Sequence, residues 1–407
     1  MIKPLLPVAD ALKLLLSAAQ PLQACETVAT LSANGRVLAV DQTAQIDVPP
    51  MDNSQMDGYA VRAADCVSGA ARLPVSQRIA AGQVGQPLAP GTAARIFTGA
   101  SIPDGADAIV MQEQSSADGN GVLIAHQPQS GDWIRRRGED IRTGAAILSA
   151  GTRLRPQELG LAASVGLATL PVLRRLNVAV FFTGDELAMP GEPLKPGAIY
   201  NSNRFTLRGL LDNLGCVCTD FGIVPDSLAA TRQTLRAAAH EHDLIITSGG
   251  VSVGEEDYLR PALEAEGRLS MWKIAVKPGK PLAFGEVDRA ALGSAFFIGL
   301  PGNPVSSLVT FLLFVRPLIL RMQGVTQVLP TAYAMRANFD WPAPDARNEF
   351  LRARFAPDGS GLELFPHQGS GVLTSAVWGD GLIDNAPGQA IKAGDIVRFI
   401  PFNELLF

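Results

Sequence analysis

The sequence predicts a multidomain fold in which a central three-layer α/β domain is combined with smaller β-rich domains. Its 407 residues exceed what one ordinary core accommodates. Residues 41–150 contain short alternating runs interrupted by glycine and proline turns, which is typical of hairpins and small barrels. From residue 175 to about 322, buried-type strands alternate with amphipathic helices, as in a doubly wound sheet, and the β pattern returns after Pro330.

The first 175 residues read as one domain interrupted by another. Residues 5–19 have helical spacing of leucines, and a second helix is expected over Gln157–Leu167, closed by Pro171. The β-rich segment lies between these helices, which indicates an insertion. We therefore predict a discontinuous linker domain at 1–45 and 140–175, with a β-rich insertion domain at 46–139.

The α/β domain is predicted over residues 176–327, and a small C-terminal β-barrel or sandwich over 328–407. The ligand of the α/β domain should lie at the carboxyl ends of its strands. The predicted strands are Asn177–Phe182, Cys216–Val224, Asp243–Thr247 and Phe296–Gly299. The predicted helices are Ser202–Leu214, a helix capped by Ser227 that runs to Ala239, Leu259–Glu266, and a long helix from Pro304 to Met322.

Composition excludes several classes of function. A net charge of −5 argues against non-specific binding to nucleic acid, which needs a basic surface. The longest apolar run, residues 305–320, is shorter than the roughly 20 residues that span a bilayer, so a core helix is expected and no membrane. The N-terminus lacks the features of a secretory leader, which predicts a cytoplasmic protein. The four cysteines are expected to be buried structural thiols.

Three loops rich in glycine and proline follow apolar segments of the α/β region: residues 247–258, 277–281 and 300–304. Short glycine-rich loops let backbone N–H groups approach anionic oxygens, and a following helix adds its positive N-terminal partial charge. The pattern indicates a ligand that carries phosphate.

Acidic residues follow three of the predicted strands. In a parallel sheet their loops share one edge, so they can meet and bind Mg²⁺ that bridges phosphate oxygens. Taken singly, each acid is better explained as part of a helix cap, and only the group as a whole favours the functional interpretation. These residues are Asp185, Glu186, Asp226, Glu255, Glu256 and Asp257.

Three further motifs have both a functional and a purely structural interpretation. Lys277 and Lys280 on a stiff Pro-Gly turn suit an oxyanion, but such a turn is also ordinary solvated surface. The turn 300–304, with Asn303 as the cap of the next helix, is an anion site or a simple strand-to-helix connection. In the insertion, M-D-G-Y-A at 56–60 is by itself only a turn signal.

Eight motifs in order closely resemble the molybdopterin molybdenumtransferase family, which comprises bacterial MoeA proteins and the E domains of gephyrin and its plant counterpart. They are M-D-G-Y-A, the run from R-I-F-T-G-A to I-V-M-Q-E, G-E-D-I, T-G-D-E-L, S-G-G-V-S-V-G-E-E-D-Y, K-P-G-K-P, L-P-G-N-P-V-S and H-Q-G-S. The resemblance runs from about residue 5 to 405. The resemblance implies a linker domain, a β-rich insertion, an α/β domain similar to molybdopterin adenylyltransferases, and a C-terminal β-barrel. It also implies a homodimer in which one subunit's insertion faces the partner's α/β domain.

The implied reaction converts adenylylated molybdopterin and molybdate into molybdenum cofactor and AMP, with Mg²⁺. By the same resemblance, Asp57, Thr98, Glu186 and Asp257 are catalytic, and Glu186, Asp226 and Asp257 hold the metal. The pterin nucleotide is expected at Ser248, Gly249, Gly250, Pro301, Gly302, Asn303 and Pro304. Molybdate is expected at Lys277, Lys280, Pro281, Ser306, Arg347 and Ser370, a group predicted to supply several donors and net positive charge.

Two other functions fit part of the sequence. A molybdopterin adenylyltransferase would share the α/β domain but lacks the insertion and the C-terminal β domain. A scaffold of the gephyrin type would grip receptor peptides and would not need the acid and lysine loops. Preference for molybdate over tungstate stays open. Partners implied by the resemblance are a molybdopterin adenylyltransferase and molybdoenzyme maturation proteins.

Overall fold

Three six-stranded sheets organise the chain in this computed structural model, which describes residues 5–66, 70–251, 258–279, 281–289 and 293–406. We call them, in chain order, the insertion sheet, the central sheet and the C-terminal sheet. Each carries its own layer of buried apolar side chains. The predicted combination of an α/β domain with β-rich domains is confirmed at this level, while the exact domain boundaries stay predictions.

The described residues between 5 and 175 form two α-helices and twelve strands. They are α1 (Val8–Ala18), β1 (Cys25–Ala29), β2 (Gln42–Thr43), β3 (Asn53–Ser54), β4 (Gly58–Val61), β5 (Ala71–Ile79), β6 (Ala93–Ile96), β7 (Ala108–Met111), β8 (Ser115–Asp118), β9 (Gly121–Ile124), β10 (Ile134–Arg135), β11 (Ala146–Leu148), α2 (Pro156–Ser164) and β12 (Thr169–Leu173).

Strand pairing joins the two halves of the interrupted domain. β1 pairs with β12 and β2 pairs with β11, so residues before the insertion are closed onto residues after it. The insertion sheet has the order β7-β4-β6-β5-β9-β8. Pro171 was predicted to close α2, but it lies inside β12, opposite Thr27. The helix already ends at Ser164, and Gly166 turns the chain with a φ of 85°.

Residues 176–327 form the α/β region. Its elements are β13 (Asn177–Thr183), β14 (Leu187–Ala188), β15 (Ile199–Tyr200), α3 (Ser202–Asn213), β16 (Val217–Val224), α4 (Leu228–Glu241), β17 (Leu244–Ser248), α5 (Leu259–Glu266), β18 (Gly267–Lys273), β19 (Val276–Lys277), β20 (Pro281–Asp288), β21 (Ser294–Leu300), α6 (Pro304–Thr310), a π-helical turn (Phe311–Val315) and α7 (Arg316–Met322).

The central sheet has the order β16-β13-β17-β21-β20-β18. Its first four strands are parallel, whereas β20 runs antiparallel to both of its neighbours, β21 and β18. Strands β18 and β20 were not predicted. Because β20 runs against β21, its first residue, Pro281, lies toward the edge where β21 ends at Leu300. The K-P-G-K-P turn therefore reaches the carboxyl edge of the sheet from an antiparallel strand.

The long helix from Pro304 to Met322 is the centre of the main core. It is apolar enough to span a membrane by composition, but 83% of its most apolar window is buried inside the protein. It packs with side chains from β13, β17 and α3, so the predicted core helix is confirmed.

The expectation of buried cysteines is wrong for Cys25, which is exposed at the start of β1. Cys66 and Cys216 are buried, and Cys218 is half-buried. Burial raises the pKa of the Cys216 thiol to about 12, so this side chain stays protonated and inert.

The C-terminal sheet has the order β19-β23-β25-β26-β22, with β24 also paired to β23. Through β19 it takes in a piece of the α/β region, and residue 274 in the same segment bridges to Leu6. Residues 273–277 thus join all three parts of the protein. The new elements are β22 (Tyr333–Arg336), β23 (Asn348–Phe355), β24 (Leu362–Leu364), α8 (Thr374–Trp378), β25 (Gly381–Asn385) and β26 (Ile396–Pro401).

Candidate active site

The carboxyl ends of three parallel strands are level with one another. Ser248, the last residue of β17, stands in register with Phe182 on one side and with Leu300 on the other. The loops that begin at Thr183, Gly249 and Pro301 therefore start at one edge of the central sheet, as predicted from the order of apolar segments. This shared edge is the place where open α/β sheets bind ligands.

One buried side chain, Asn203 in the first turn of α3, ties two of these loops together. Its Nδ2 donates to Oγ of Ser248 at 2.8 Å and to the carbonyl of Gly302 at 2.8 Å. Ser248 in turn donates its hydroxyl to the carbonyl of Pro301 at 3.0 Å. Sequence reasoning missed Asn203. Its signal was present in Y-N-S-N, where a second asparagine follows the one that caps the helix.

Glycine is required at both positions after Ser248. Gly249 has a φ of 101°, and a Cβ built there would lie 2.4 Å from the carbonyl oxygen of Thr183. Gly250 has a φ of 65°, and its Cβ would lie 2.8 Å from Oγ1 of Thr183. A side chain at either position would clash with Thr183, so the backbone itself is presented at the loop.

Several buried polar atoms at this edge have no hydrogen-bond partner among the described residues. They are Oγ1 of Thr183, Oδ1 of Asn203 and Oγ1 of Thr247. Buried polar groups are normally satisfied, and exceptions need an explanation. A polar ligand seated against the Ser248–Gly250 loop supplies one.

The turn at 301–304 lies against the same loop. A Cβ on Gly302 would lie 3.9 Å from Cα of Gly249. Asn303 occupies the N-cap position of α6, and Pro304 is its first helical residue, as predicted. Among the described residues, however, the Asn303 side chain makes no capping hydrogen bond. Its amide is therefore not committed to the helix end.

Two of the three predicted metal ligands come from neighbouring loops, after β13 and β16. Asp226 accepts a hydrogen bond from the backbone N–H of Asp185 at 3.2 Å. Glu186 is exposed and folds back over Gly184. Asp257, together with Glu255 and Glu256, lies outside the described residues. In the described ranges no group of three or more His, Cys, Asp or Glu side chains is placed to hold a metal.

Two of the predicted molybdate ligands, Lys277 and Arg347, lie beside acidic side chains. Lys277 Nζ lies 3.1 Å from Oε1 of Glu349 and 3.4 Å from Oδ2 of Asp345. Arg347 Nη2 lies 2.8 Å from Oδ2 of the same Asp345. Within the described residues, these two cations are thus balanced by two acids, so the predicted net positive charge of the group depends on Lys280. Lys280 lies outside the described residues.

The two acids were not identified from the sequence. Hydrogen bonds from Arg347 hold the pKa of Asp345 below its usual range, so it stays ionised. Glu349 is fully buried, and its second oxygen accepts hydrogen bonds from Trp341 Nε1 at 2.8 Å and from Asn385 Nδ2 at 3.4 Å. A signal was available: an acid directly before the apolar pair Phe350-Leu351 in a strand is unusual and implies a partner.

Ser370 contacts the first turn of α6 at Val305, the residue before Ser306. The backbone N–H of Val305 donates to the carbonyl of Ser370 at 2.9 Å, and Ser306 is buried. Gly279 of the K-P-G-K-P turn packs on the same helix, since its Cβ would lie 3.5 Å from the carbonyl of Ser306. Pro281 follows as the first residue of β20.

Asp57 and Thr98 form a hydrogen-bonded pair at one end of the insertion sheet. Oδ1 of Asp57 accepts from the backbone N–H of Thr98 at 2.8 Å and from its hydroxyl at 2.7 Å. The pair arises because β4 and β6 are neighbours, with Gly58 opposite Ile96. These hydrogen bonds lower the pKa of Asp57, so its carboxylate is ionised near neutral pH.

Three family models match the chain. The MoeA N-terminal region (domain I and II) matches residues 6–166, a probable molybdopterin binding domain matches 179–321, and the MoeA C-terminal region (domain IV) matches 334–402. A crystal structure of molybdopterin biosynthesis moeA protein from Pyrococcus horikoshii OT3 is similar, with a TM-score of 0.85, 28% identity, and 98% of this chain and 100% of that chain covered. Fold and loops together thus define a multidomain protein of the MoeA type.

Curated relatives agree. The molybdopterin molybdenumtransferase of Haemophilus influenzae is 41% identical over 92% of this chain and 93% of its own length. That of Nostoc is 37% identical over 80% of this chain and 76% of its own. The chain belongs to the family of molybdopterin molybdenumtransferases, enzymes of molybdenum cofactor biosynthesis.

Proposed function

We propose that this chain inserts molybdate into adenylylated molybdopterin with release of AMP in a Mg²⁺-dependent reaction. The observation that carries the proposal is the loop edge at Ser248–Gly250, where two obligatory glycines and the unsatisfied Thr183 and Asn203 atoms fit a ligand rich in anionic oxygens. Membership of the family supplies the class of reaction. We place the reaction in the cytoplasm.

The pterin nucleotide would lie along Ser248, Gly249, Gly250 and the turn from Pro301 to Pro304. Asn203 fixes the relative position of these two segments, so they are already arranged before substrate arrives. Preorganised backbone donors of this kind stabilise the charge that develops when an anhydride is cleaved.

Glu186, Asp226 and Asp257 would hold Mg²⁺. The donor set suits it, because Mg²⁺ is usually bound by one or two carboxylates together with substrate phosphates and water. When bound, the ion neutralises charge on the phosphate oxygens. The acids of this chain thereby orient the anhydride toward the loops after β13 and β16, whose positions are coupled by the Asp185–Asp226 hydrogen bond.

Molybdate would be taken by Lys277, Lys280, Pro281, Ser306, Arg347 and Ser370. Asp345 and Glu349 hold the Lys277 and Arg347 side chains in place, which reduces the entropy lost when they bind a tetrahedral dianion. Since these acids offset two positive charges, Lys280 is expected to supply the excess charge that attracts the dianion.

Asp57 and Thr98 would act on the partner's substrate in a homodimer. An exposed apolar surface on the linker domain supports dimerisation: Leu31 is 93% exposed, and it lies beside Leu159, Ala163 and Leu167. We define these four residues as the linker patch. If this patch is buried against a second copy of the chain, the ionised Asp57 carboxylate would lie at the active site of that copy and orient its reacting groups.

The reaction is tested by supplying substrates separately. Adenylylated molybdopterin with molybdate and Mg²⁺ should yield AMP and active cofactor, and chelation of Mg²⁺ should stop the release. Molybdopterin with ATP should give no adenylylated product. Adenylate accumulating in the second mixture, or no AMP in the first, would reject the proposal in favour of an adenylyltransferase or a scaffold.

A further inference from the structure

A cleft of about 760 Å³ opens on the side of the protein where the linker, α/β and C-terminal regions meet. Its charged lining comes from all three regions. The ionisable side chains are Arg153, Arg155, Arg175, Asp212, Arg316 and Glu404. None of them belongs to the candidate active site.

Two arginines in the cleft lie close to each other in a buried place. Arg316, at the start of α7, is only 7% exposed. Burial and the nearby positive charge of Arg153 lower the pKa of Arg316 to about 10, while the Glu404 carboxylate acts in the opposite direction, so both guanidinium groups remain charged near neutral pH. Like charges in a partly desolvated site repel, and an anion between them relieves that repulsion.

The remaining arginines have partners that leave positive charge in the cleft. Arg153 and Arg175 donate to the carbonyls of Asn213 and Gly215 at 2.7 and 3.2 Å, and neither forms an ion pair with an acid in the described ranges. These carbonyls are at the C-terminal end of α3, so part of the arrangement is a cationic helix cap. A helix end carries only about half a negative charge, which does not offset two guanidinium groups.

Two of the charged groups in the cleft are paired with residues outside it. Asp212 pairs with Arg208 at 3.0 Å, and Arg155 pairs with Glu158 at 2.6 Å. The Glu404 carboxylate accepts a hydrogen bond from the backbone N–H of Thr331 at 3.2 Å and offsets the charge of Arg316. Arg153 and Arg175 still leave the cleft with net positive charge, although the whole chain carries −5.

We propose that this cleft binds a phosphate group, either inorganic phosphate or a phosphate monoester, at a site separate from the reaction centre. Guanidinium groups present planar forks that match phosphate oxygens in pairs. The volume suits a small ligand larger than the ion alone. Because the lining comes from three regions, the bound anion would hold the linker and C-terminal regions against the α/β region.

Titration calorimetry with inorganic phosphate and with glycerol 3-phosphate, each at matched ionic strength in chloride, tests the proposal. The double variant Arg153→Gln/Arg175→Gln should weaken binding at least tenfold. Arg398→Gln, which changes an exposed arginine of the C-terminal sheet, should leave it unchanged. Lys280→Met removes a cation predicted for the active site and should also leave it unchanged. Tighter binding of the ester would identify a monoester as the ligand, and tighter binding of phosphate the free ion.

Equal affinity in the wild type and the double variant would overturn the proposal, as would loss of binding in Lys280→Met, because the anion would then sit in the reaction centre. If the double variant melts at a lower temperature than the wild type without phosphate, the single variant Arg175→Glu is used in its place, because Arg175 is exposed. Reversing the charge of Arg175 must also weaken phosphate binding at least tenfold.

Discussion

Lys277 Nζ lies 3.1 Å from Oε1 of Glu349, a carboxylate that is completely buried 72 residues further along the chain. The contact joins the K-P-G-K-P turn to β23 of the C-terminal sheet, and it is reinforced by the register of β19 with β23. A proposed molybdate ligand of the α/β region is thus held in place by an acid of another region. If Lys277 binds molybdate as proposed, one ion pair contributes to both stability and substrate binding.

Lys277→Met should therefore lower stability as well as molybdate binding. Removing the cation leaves Glu349 as a buried charge with reduced compensation, which costs about 3 kcal/mol. Thermal unfolding should show this loss, and the KM for molybdate should rise. Lys392→Met, at an exposed lysine, is the matched control.

The double variant Lys277→Met/Glu349→Gln separates the two effects. Glutamine keeps an oxygen that accepts from Trp341 and Asn385 but carries no charge. We expect it to recover most of the stability without recovering activity. A double variant as unstable as the single one would show that the ion pair does not account for the loss.

Thr98→Val should shift the acidic side of the pH profile of kcat/KM upward. The pKa of Asp57 is low because Thr98 donates two hydrogen bonds to its ionised form. Removing the hydroxyl takes away one of them, so the carboxylate becomes protonated at a higher pH and activity is lost sooner as pH falls. Asp57→Asn should lower the rate about 100-fold or more at every pH.

The control for Thr98→Val is Thr92→Val, whose hydroxyl donates to the carbonyl of Ala89 and does not touch Asp57. Its pH profile should match the wild type. An unchanged profile in Thr98→Val as well would mean that ionisation of Asp57 does not limit the reaction.

Asn203→Ala should weaken binding of the pterin nucleotide. The amide of Asn203 bridges Ser248 Oγ and the Gly302 carbonyl, and its loss leaves both loops less well fixed, at about 1–3 kcal/mol. At saturating molybdate, the KM for adenylylated molybdopterin should rise roughly tenfold. Asn120→Ala, in an exposed turn of the insertion sheet, should behave as wild type. A normal KM in Asn203→Ala would argue against nucleotide binding at these loops.

The sequence was sufficient to place the loops at one edge of the central sheet. Apolar runs such as residues 177–183 and 244–248 end in polar loops, and parallel strands of buried type align their carboxyl ends. The Asp57–Thr98 pair followed from motifs that resemble a family rather than from local physics, because Asp57-Gly58 alone is an ordinary turn signal.

Side-chain partners across regions were beyond the sequence. Glu349 compensates Lys277 only because β23 is brought next to β19, and no local pattern contains that pairing. The antiparallel strands β18 and β20 were missed for a related reason: their turn at 277–281 reads as a loop between α/β elements unless the register with β21 is known. Tertiary contacts, rather than propensity, decide both.

Leu31→Glu should break the proposed homodimer. Leu31 is 93% exposed and belongs to the linker patch. In a two-fold dimer the same patch meets itself or its complement in both copies, so each substitution is felt twice and buries an unpaired charge. Analytical ultracentrifugation of Leu31→Glu should show a monomer. If Asp57 acts on the partner's substrate, this monomer should also lose activity. Ile396→Glu, at an exposed residue of the C-terminal sheet, should stay dimeric and active. A monomeric Leu31→Glu variant with full activity would instead place Asp57 and Glu186 of one chain in the same site.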